Sequence, residues 1–231
     1  MIPLKDDLLT HTTPVVTVAL VAVNIIVFFY EVSLGAGADN FIFQYGAIPL
    51  NLVHGMDGGR QGLVAVSSVL TSMFLHGGFM HLAGNMLYLW IFGNNIEDVM
   101  GHVRFILFYL VCGVIAAYTH ALTDPGSRIP MVGASGAISG VLGAYLVLFP
   151  HAKVLTLVPI GFFIQLIRIP AVLVLGIWFL VQFVSGIFGY SGIFGSQSGG
   201  IAWFAHIGGF LAGMVLIYPF KKKQRQRQGW Y

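Results

Sequence analysis

The sequence predicts an all-α membrane protein, a bundle of six spanning helices with both ends of the chain on the cytoplasmic side. Three observations carry that prediction. The 231 residues are 57% hydrophobic and only 8% charged, with a mean hydropathy of +0.87, whereas soluble domains carry about 25% charged residues. Six apolar runs are each long enough to cross a hydrocarbon core of about 30 Å, which takes roughly 20 residues. The 11 lysines and arginines are also spread very unevenly over the connections between those runs.

The first run, 14–31, ends at Tyr30-Glu31-Val32 without the small-residue pattern of a cleavage site, so it reads as a spanning helix and not a removable leader. Segment 32–77 is long for a connection and mixes apolar residues with Gly, Asp and Arg; short interfacial helices folded onto the bundle are expected there. Runs 78–97 and 103–122 follow, joined by a short turn near 98–102. A connection near 123–131 leads to run 132–150, and a longer one, 151–169, to run 170–188. Residues 185–200, rich in Gly and Ser and including Phe188 and Phe194, suit either a mobile flap over an apolar mouth or an unstructured connector. Run 201–219 precedes a basic tail, 220–231. The whole chain, 1–231, reads as one domain.

Alternate connections face opposite sides of the membrane. Lys5, Arg104, Lys153, Arg168 and the cluster Lys221, Lys222, Lys223, Arg225 and Arg227 fall on one side, and only Arg60 and Arg128 on the other. The excess of cations marks the first side as cytoplasmic. The pI near 9.1 then reflects a tail that meets anionic lipid, and nucleic acid is excluded as a partner. The single cysteine, Cys112, lies inside an apolar run, which excludes an intramolecular disulfide and a paired-cysteine metal or redox site. No internal repeat points to an inverted-repeat transporter.

Three runs open with polar groups that lipid tolerates poorly. They read His76-Gly77-Gly78-Phe79-Met80-His81-Leu82-Ala83-Gly84-Asn85, Gly133-Ala134-Ser135-Gly136, and Ala205-His206-Ile207-Gly208-Gly209. Runs two, four and six cross in the same direction. His81, Ser135 and His206 each fall a few residues inside, about 6–9 Å below the outer surface at 1.5 Å of rise per residue. They share a layer. Helical spacing puts Ser135, Gly136, Ser139 and Gly143 on one face of run four, and Ala202, His206, Gly209 and Gly213 in a stripe on run six. Small residues let two backbones approach closely, as they must for a serine hydroxyl to reach an imidazole at about 2.6–3.2 Å. His81 and Asn85, one turn apart, face the same way and offer two donors. With the backbone N–H of Ser135 they can stabilise a developing oxyanion.

Runs three to six contain no Asp or Glu. The expected chemistry is therefore a carboxylate-free dyad: Ser135 as nucleophile, and His206 as general base and then general acid, held by packing and hydrogen bonds. An ionisable residue inside a membrane is by default a functional candidate. Each motif alone has a blander reading. Gly133-Ala134-Ser135-Gly136 fits a simple helix contact, and His76 is expected to end the external segment and brace the surroundings of His81. His76 and His81 are five apart with no carboxylate between them, unlike the i, i+4 pair of a metal site, so no metal or other cofactor is expected. A proton relay through His81 and His206 is the alternative use of the histidines. Asn24, Glu31 and Gln182 read as interhelical hydrogen bonders or interface groups.

Taken together, Leu75-His76 through Asn85, Leu87-Tyr88-Leu89-Trp90, Gly133-Ala134-Ser135-Gly136, and Ala205-His206 with Gly209 and Gly213 resemble the rhomboid intramembrane serine proteases. The resemblance covers nearly the whole six-span core and is of the minimal kind without an added domain. It implies that Ser135 is the nucleophile and His206 the base, with His81, Asn85 and the Ser135 amide as oxyanion hole. It implies an acidic structural residue at Glu97. It also implies transmembrane protein substrates, cut near the outer membrane face and approaching past run five, and a bacterial or archaeal inner membrane as location. Two departures stand out. Ser67 and Ser68 occupy the place where many rhomboids carry a Trp-Arg pair. Ser139 stands where several carry an aromatic beneath the catalytic imidazole, leaving His206 to be held by Ser139 or by another ring. A non-proteolytic rhomboid-like binder is the remaining alternative, and intact Ser135 and His206 argue against it.

Overall fold

A computed structural model describes residues 1–55, 59–161, 163–190 and 202–222. Phe194, Lys223, Arg225 and Arg227 lie outside the described residues, as does most of the 185–200 segment. The chain begins with a strand, β1 (Ile2–Asp6), and then α1 (Val15–Ser33). Three short helices follow: α2 (Ala38–Tyr45), α3 (Pro49–Gly55) and α4 (Gly59–Ser72). Next come α5 (Phe79–Met100), α6 (His102–Thr123) and α7 (Ser135–Leu148), a hairpin of β2 (Lys153–Ile160) and β3 (Phe163–Pro170), α8 (Ala171–Tyr190) and α9 (Trp203–Phe220).

The protein is mostly helical. Among the described residues, α1, α6, α8 and α9 are long and apolar enough to cross a membrane. Their outer faces leave large apolar side chains exposed, among them Ile26 and Phe29 on α1, Leu107 and Val111 on α6, Leu180 and Val184 on α8, and Leu211 and Val215 on α9. In water such faces would demand cover; in lipid they need none. The inner faces meet around Phe92, Phe105, Phe108, Tyr109, Leu142 and Tyr145, all fully buried.

Two expectations need correction. The protein is not purely α-helical. β1 pairs antiparallel with β2, and β2 with β3, to make a three-stranded sheet in the order β1-β2-β3. The 151–169 connection is thus a hairpin, from Lys153 opposite Pro170 to Ile160 opposite Phe163. The second correction concerns run 132–150, expected to span. Its helix, α7, has only 14 residues, about 21 Å at 1.5 Å per residue and short of a hydrocarbon core of about 30 Å. The remainder of the run is turn. Non-helical backbone at such a depth is tolerable only where protein or water surrounds it, and α7 is surrounded: every residue from Ala137 to Tyr145 is buried, against α5, α6 and α9. α5, though 22 residues long, is the polar member of the set, carrying His81, Asn85, Asn95, Glu97 and Asp98.

Carboxylates fasten the sheet end of the bundle. Pro14 offers no side-chain cap to α1, so the first-turn N–H groups need another acceptor. The buried Glu97 carboxylate at the end of α5 supplies it, accepting from Val16 N–H at 2.9 Å, Thr17 N–H at 2.8 Å and Thr17 Oγ1 at 2.7 Å. A negative charge at a helix N-terminus is also electrostatically favourable. Asp6 at the end of β1 does the same service between helices, accepting from Tyr145 Oη on α7 at 2.7 Å and from Asn95 Nδ2 on α5 at 2.6 Å. The C-terminal end of α9 comes to this end too, where Lys222 N–H donates to Val99 O at 3.1 Å.

The external segment is anchored through its backbone. Ala47 and Met131 exchange two hydrogen bonds, at 3.1 and 2.8 Å, and Leu50 N–H donates to Ser127 O at 3.0 Å. Leu52, Val69 and Met73 bury the inner faces of α3 and α4 and the turn after them. Ser67 and Ser68 merely bond back to carbonyls of their own helix, so no Trp-Arg pair is needed for the attachment.

Burial pushes the Asp6 carboxyl above its usual range, against the opposing pull of the Tyr145 and Asn95 bonds. An acid whose folded-state pKa is raised binds its proton more readily when folded. The stability it contributes is therefore complete below the unfolded-state value of about 4 and declines as pH rises through the folded-state value. Asp6→Asn keeps an oxygen acceptor and removes that slope. Thermal unfolding in detergent from about pH 4 to pH 7 is expected to show the wild type losing stability relative to Asp6→Asn as pH rises.

Candidate active site

Ser135 is the first residue of α7, His81 lies in the opening turn of α5, and His206 in the opening turn of α9. These helices therefore begin later than the apolar runs do, and the polar groups stand at helix N-termini and not a turn or more inside. All three helix starts meet at the end of the bundle opposite the sheet.

A close backbone contact between two helices brings Ser135 and His206 together. α7 and α9 run parallel, with Gly209 against Gly136 and Gly213 against Gly140, one turn apart on both helices. A Cβ built on Gly209 would fall 2.1 Å from Gly136 O, and one on Gly213 only 1.9 Å from Gly140 O. Gly143 makes the reciprocal approach, 2.1 Å from Phe210 O by the same construction. The Gly136 Cα itself faces α6, where an added Cβ would lie 2.7 Å from Ala116 Cβ; the predicted shared face with Ser135 is therefore only partly right. Gly140, which the sequence reading passed over, belongs to the contact. At the head of this seam the Ser135 hydroxyl lies 2.8 Å from Nε2 of His206.

The other donors converge on the turn before Ser135. Gly133 holds φ +117°, a region that favours glycine. It has no room for a side chain either, because a Cβ there would lie 2.7 Å from His81 Nε2 and 3.4 Å from Asn85 Nδ2. Gly133 N–H donates to Ser72 O at 2.9 Å, tying the turn to the end of α4. Asn85 Nδ2 also donates to Nε2 of His76 at 2.9 Å. An amide nitrogen has two hydrogens, so one bond to His76 fixes the plane of the amide and leaves the second hydrogen unshared among the described residues. His76 is buried, meets the His81 ring edge-on at 5.2 Å, and donates its backbone N–H to the Glu31 carboxylate at 3.2 Å. His76 thus contacts both His81 and Asn85.

Ser139 does not hold His206. It is fully buried in the α7–α9 seam and donates to Ser135 O, one turn back, at 2.6 Å. The imidazole is flanked instead by Trp178 on α8, with centroids 6.0 Å apart, and by Trp203, 6.2 Å away and perpendicular. Its Nδ1 lies 2.7 Å from Oε1 of Gln182. Sequence reasoning placed Gln182 among interhelical hydrogen bonders without naming its partner; the available signal was a lone amide one turn from Trp178. Asn24, by contrast, bonds within its own helix, to Leu20 O at 2.7 Å. Beside Ser135, a small cavity is bounded by Met73, Gly113, Ala116, Ala117, Gly136 and Ala205.

The chain is similar in sequence to proteins of one family. A family model described as the Rhomboid domain matches residues 64–223. Rhomboid protein 1, mitochondrial, of Saccharomyces cerevisiae is 32% identical over 168 residues, covering 70% of this chain and 44% of that protein. Rhomboid protease GluP of Bacillus subtilis is 34% identical over 134 residues, 58% of this chain and 24% of GluP. Putative rhomboid protease YdcA of the same organism is 38% identical over 78 residues, 34% of this chain and 39% of YdcA. The chain therefore matches less than half the length of each of these relatives.

The glycine seam can be tested directly. Gly213→Ala places a methyl where the Gly140 carbonyl sits, so α7 and α9 must separate, at a cost of about 3 kcal/mol or more. Gly176→Ala on α8 adds a methyl that meets nothing within 4 Å and removes a glycine from a helix interior, which is neutral or slightly stabilising. Thermal unfolding in detergent is expected to drop sharply for the first and not for the second.

Proposed function

The chain belongs to the rhomboid family, and from that premise we propose that it is an intramembrane serine endopeptidase acting through a Ser135–His206 dyad. The observation that carries the reading is the 2.8 Å approach of Ser135 Oγ to His206 Nε2 between two apolar helices. Both residues are only partly buried, so a scissile carbonyl and a water can reach them.

In the proposed reaction Ser135 Oγ attacks the carbonyl carbon as His206 Nε2 takes its proton. The oxyanion is received by the Ser135 N–H, free at the start of α7, and by His81 and the unshared hydrogen of Asn85. His206 then returns the proton to the leaving amine, and water, activated in the same way, releases the acyl group from Ser135. The small-residue lining of the cavity beside Ser135 suits a short side chain at the position preceding the cut.

The proposed substrates are transmembrane segments of other membrane proteins. A helical substrate hides its scissile carbonyl in an i→i−4 bond, so Gly, Pro or β-branched residues that ease unwinding favour cleavage. The protein is multi-pass. The cation-rich sheet end would face the cytoplasm and the site would open outward, in a bacterial or archaeal inner membrane. Glu97 would serve as the capping carboxylate of α1, with no chemical part.

Purified chain in proteoliposomes with a single-span substrate tests the reading. Wild type is expected to cleave, and Ser135→Ala and His206→Ala to abolish cleavage. Asn85→Ala is expected to lower kcat by about a hundredfold, as for loss of one oxyanion donor. Cleavage that persists in Ser135→Ala would refute the dyad.

A further inference from the structure

We propose that Gln182 is the positioning residue of His206, fixing which ring nitrogen carries the hydrogen and so making the imidazole able to take a proton from Ser135. The inference rests on the dyad reading and deepens it. A neutral imidazole has one N–H and one lone pair. Gln182 Oε1, 2.7 Å from Nδ1, can only accept, so the hydrogen sits on Nδ1. The lone pair is then on Nε2, facing the Ser135 hydroxyl at 2.8 Å. With the opposite tautomer, Nε2 would present a hydrogen to Ser135 and could accept nothing.

No other side chain among the described residues bonds to Nδ1. Trp178 and Trp203 confine the ring by their faces and edges, but an indole N–H is a donor only and cannot select this tautomer. Gln182 is buried, and the spacing of Trp178 and Gln182 puts ring and amide on one face of α8, so α8 holds the imidazole both sideways and in plane. A carboxylate in this position would fix the same tautomer but would bring an unpaired charge into an apolar surround, at substantial cost. An amide gives the orientation without the charge. Because the bond joins two helices, the base is competent only while α8 is seated against α9.

The test compares two near-isosteric variants of the full chain in detergent: Gln182→Met, which keeps volume and loses the acceptor, and Gln182→Glu, which keeps an acceptor. The readouts are the second-order rate of Ser135 labelling by a fluorophosphonate probe and the thermal unfolding midpoint. Gln182→Met is expected to slow labelling by about ten- to hundredfold with its unfolding midpoint unchanged, and Gln182→Glu to label close to the wild-type rate with its unfolding midpoint lowered by the buried carboxylate. A merely space-filling glutamine gives the reverse pattern, with Met tolerated and Glu impaired. Labelling of Gln182→Met at the wild-type rate, or an equal loss in Gln182→Glu, overturns the proposal. Failure of the dyad reading is distinguishable: wild type then shows no labelling at Ser135, and His206→Ala changes nothing.

Discussion

The approach of α7 to α9 is the constraint from which the site follows. Where a single added carbon would lie 1.9 Å from a carbonyl oxygen, the two helices cannot slide or rotate without collision. The repeat of that contact one turn earlier, at Gly209 and Gly136, fixes their register. Once the register is fixed, the residue before Gly136 and the residue one turn before Gly209 must face each other. Those are Ser135 and His206. A serine side chain is too short to find a partner across an ordinary helix–helix spacing of about 8–10 Å. The 2.8 Å contact is thus a consequence of glycine at the interface, and in a membrane such packing is the main force available, because lipid gives apolar faces no reason to seek each other.

The rest of the molecule keeps that seam in place and gives its polar groups partners. At the sheet end, Asp6 and Glu97 link β1, α1, α5 and α7 through charge-assisted hydrogen bonds. At the other end, the bond from Gly133 to Ser72 and the bridge between Ala47 and Met131 attach the external helices to the turn that presents Ser135. The shortness of α7 belongs to the same logic. Its N-terminus stops at Ser135, leaving the Ser135 N–H without a helical acceptor, and enclosure by protein makes a helix end tolerable in apolar surroundings.

The residues that the structure brings together in the candidate site were largely legible in the sequence, and the fold was less completely so. Ser135, His206, His81 and Asn85 announce themselves because polar residues are rare in apolar runs, and the stripe of Gly209 and Gly213 because small residues recur at helical spacing. Hydropathy alone could not tell where α7 begins and ends, since flanking residues such as Val132 and Phe149 are as apolar as the helix. The sheet was missed for a related reason. Lys153 to Pro170 is rich in Val, Leu, Ile and Phe, with Gly161 at its centre, which is a hairpin pattern; its place between two apolar runs masks it as a connection. β1 gives even less local signal, because its pairing with β2 spans most of the chain. Ser67, Ser68 and Ser139 show the limit of reading by absence. The attachment expected of a Trp-Arg pair is made by backbone bonds, and the ring expected at position 139 is supplied from α8 and α9.

Gln182 shows how His206, for which the sequence offers no carboxylate partner, can still have an acceptor at Nδ1. In a soluble protein an acid beside the imidazole can be partly solvated and hydrogen-bonded from several sides, so its charge is bearable. Between apolar helices the same charge would have to be carried unpaired through every state in which His206 is neutral, which includes the resting one. What the neutral base needs is only an acceptor at Nδ1, and an amide oxygen meets that need. In the proposed reaction, extra stabilisation of the imidazolium would be forgone, and the proposed oxyanion donors on α5 and at the start of α7 would bear more of the developing charge. The arrangement on α5 is compatible with the proposed division: His76 occupies one hydrogen of Asn85, which holds the other in a fixed direction.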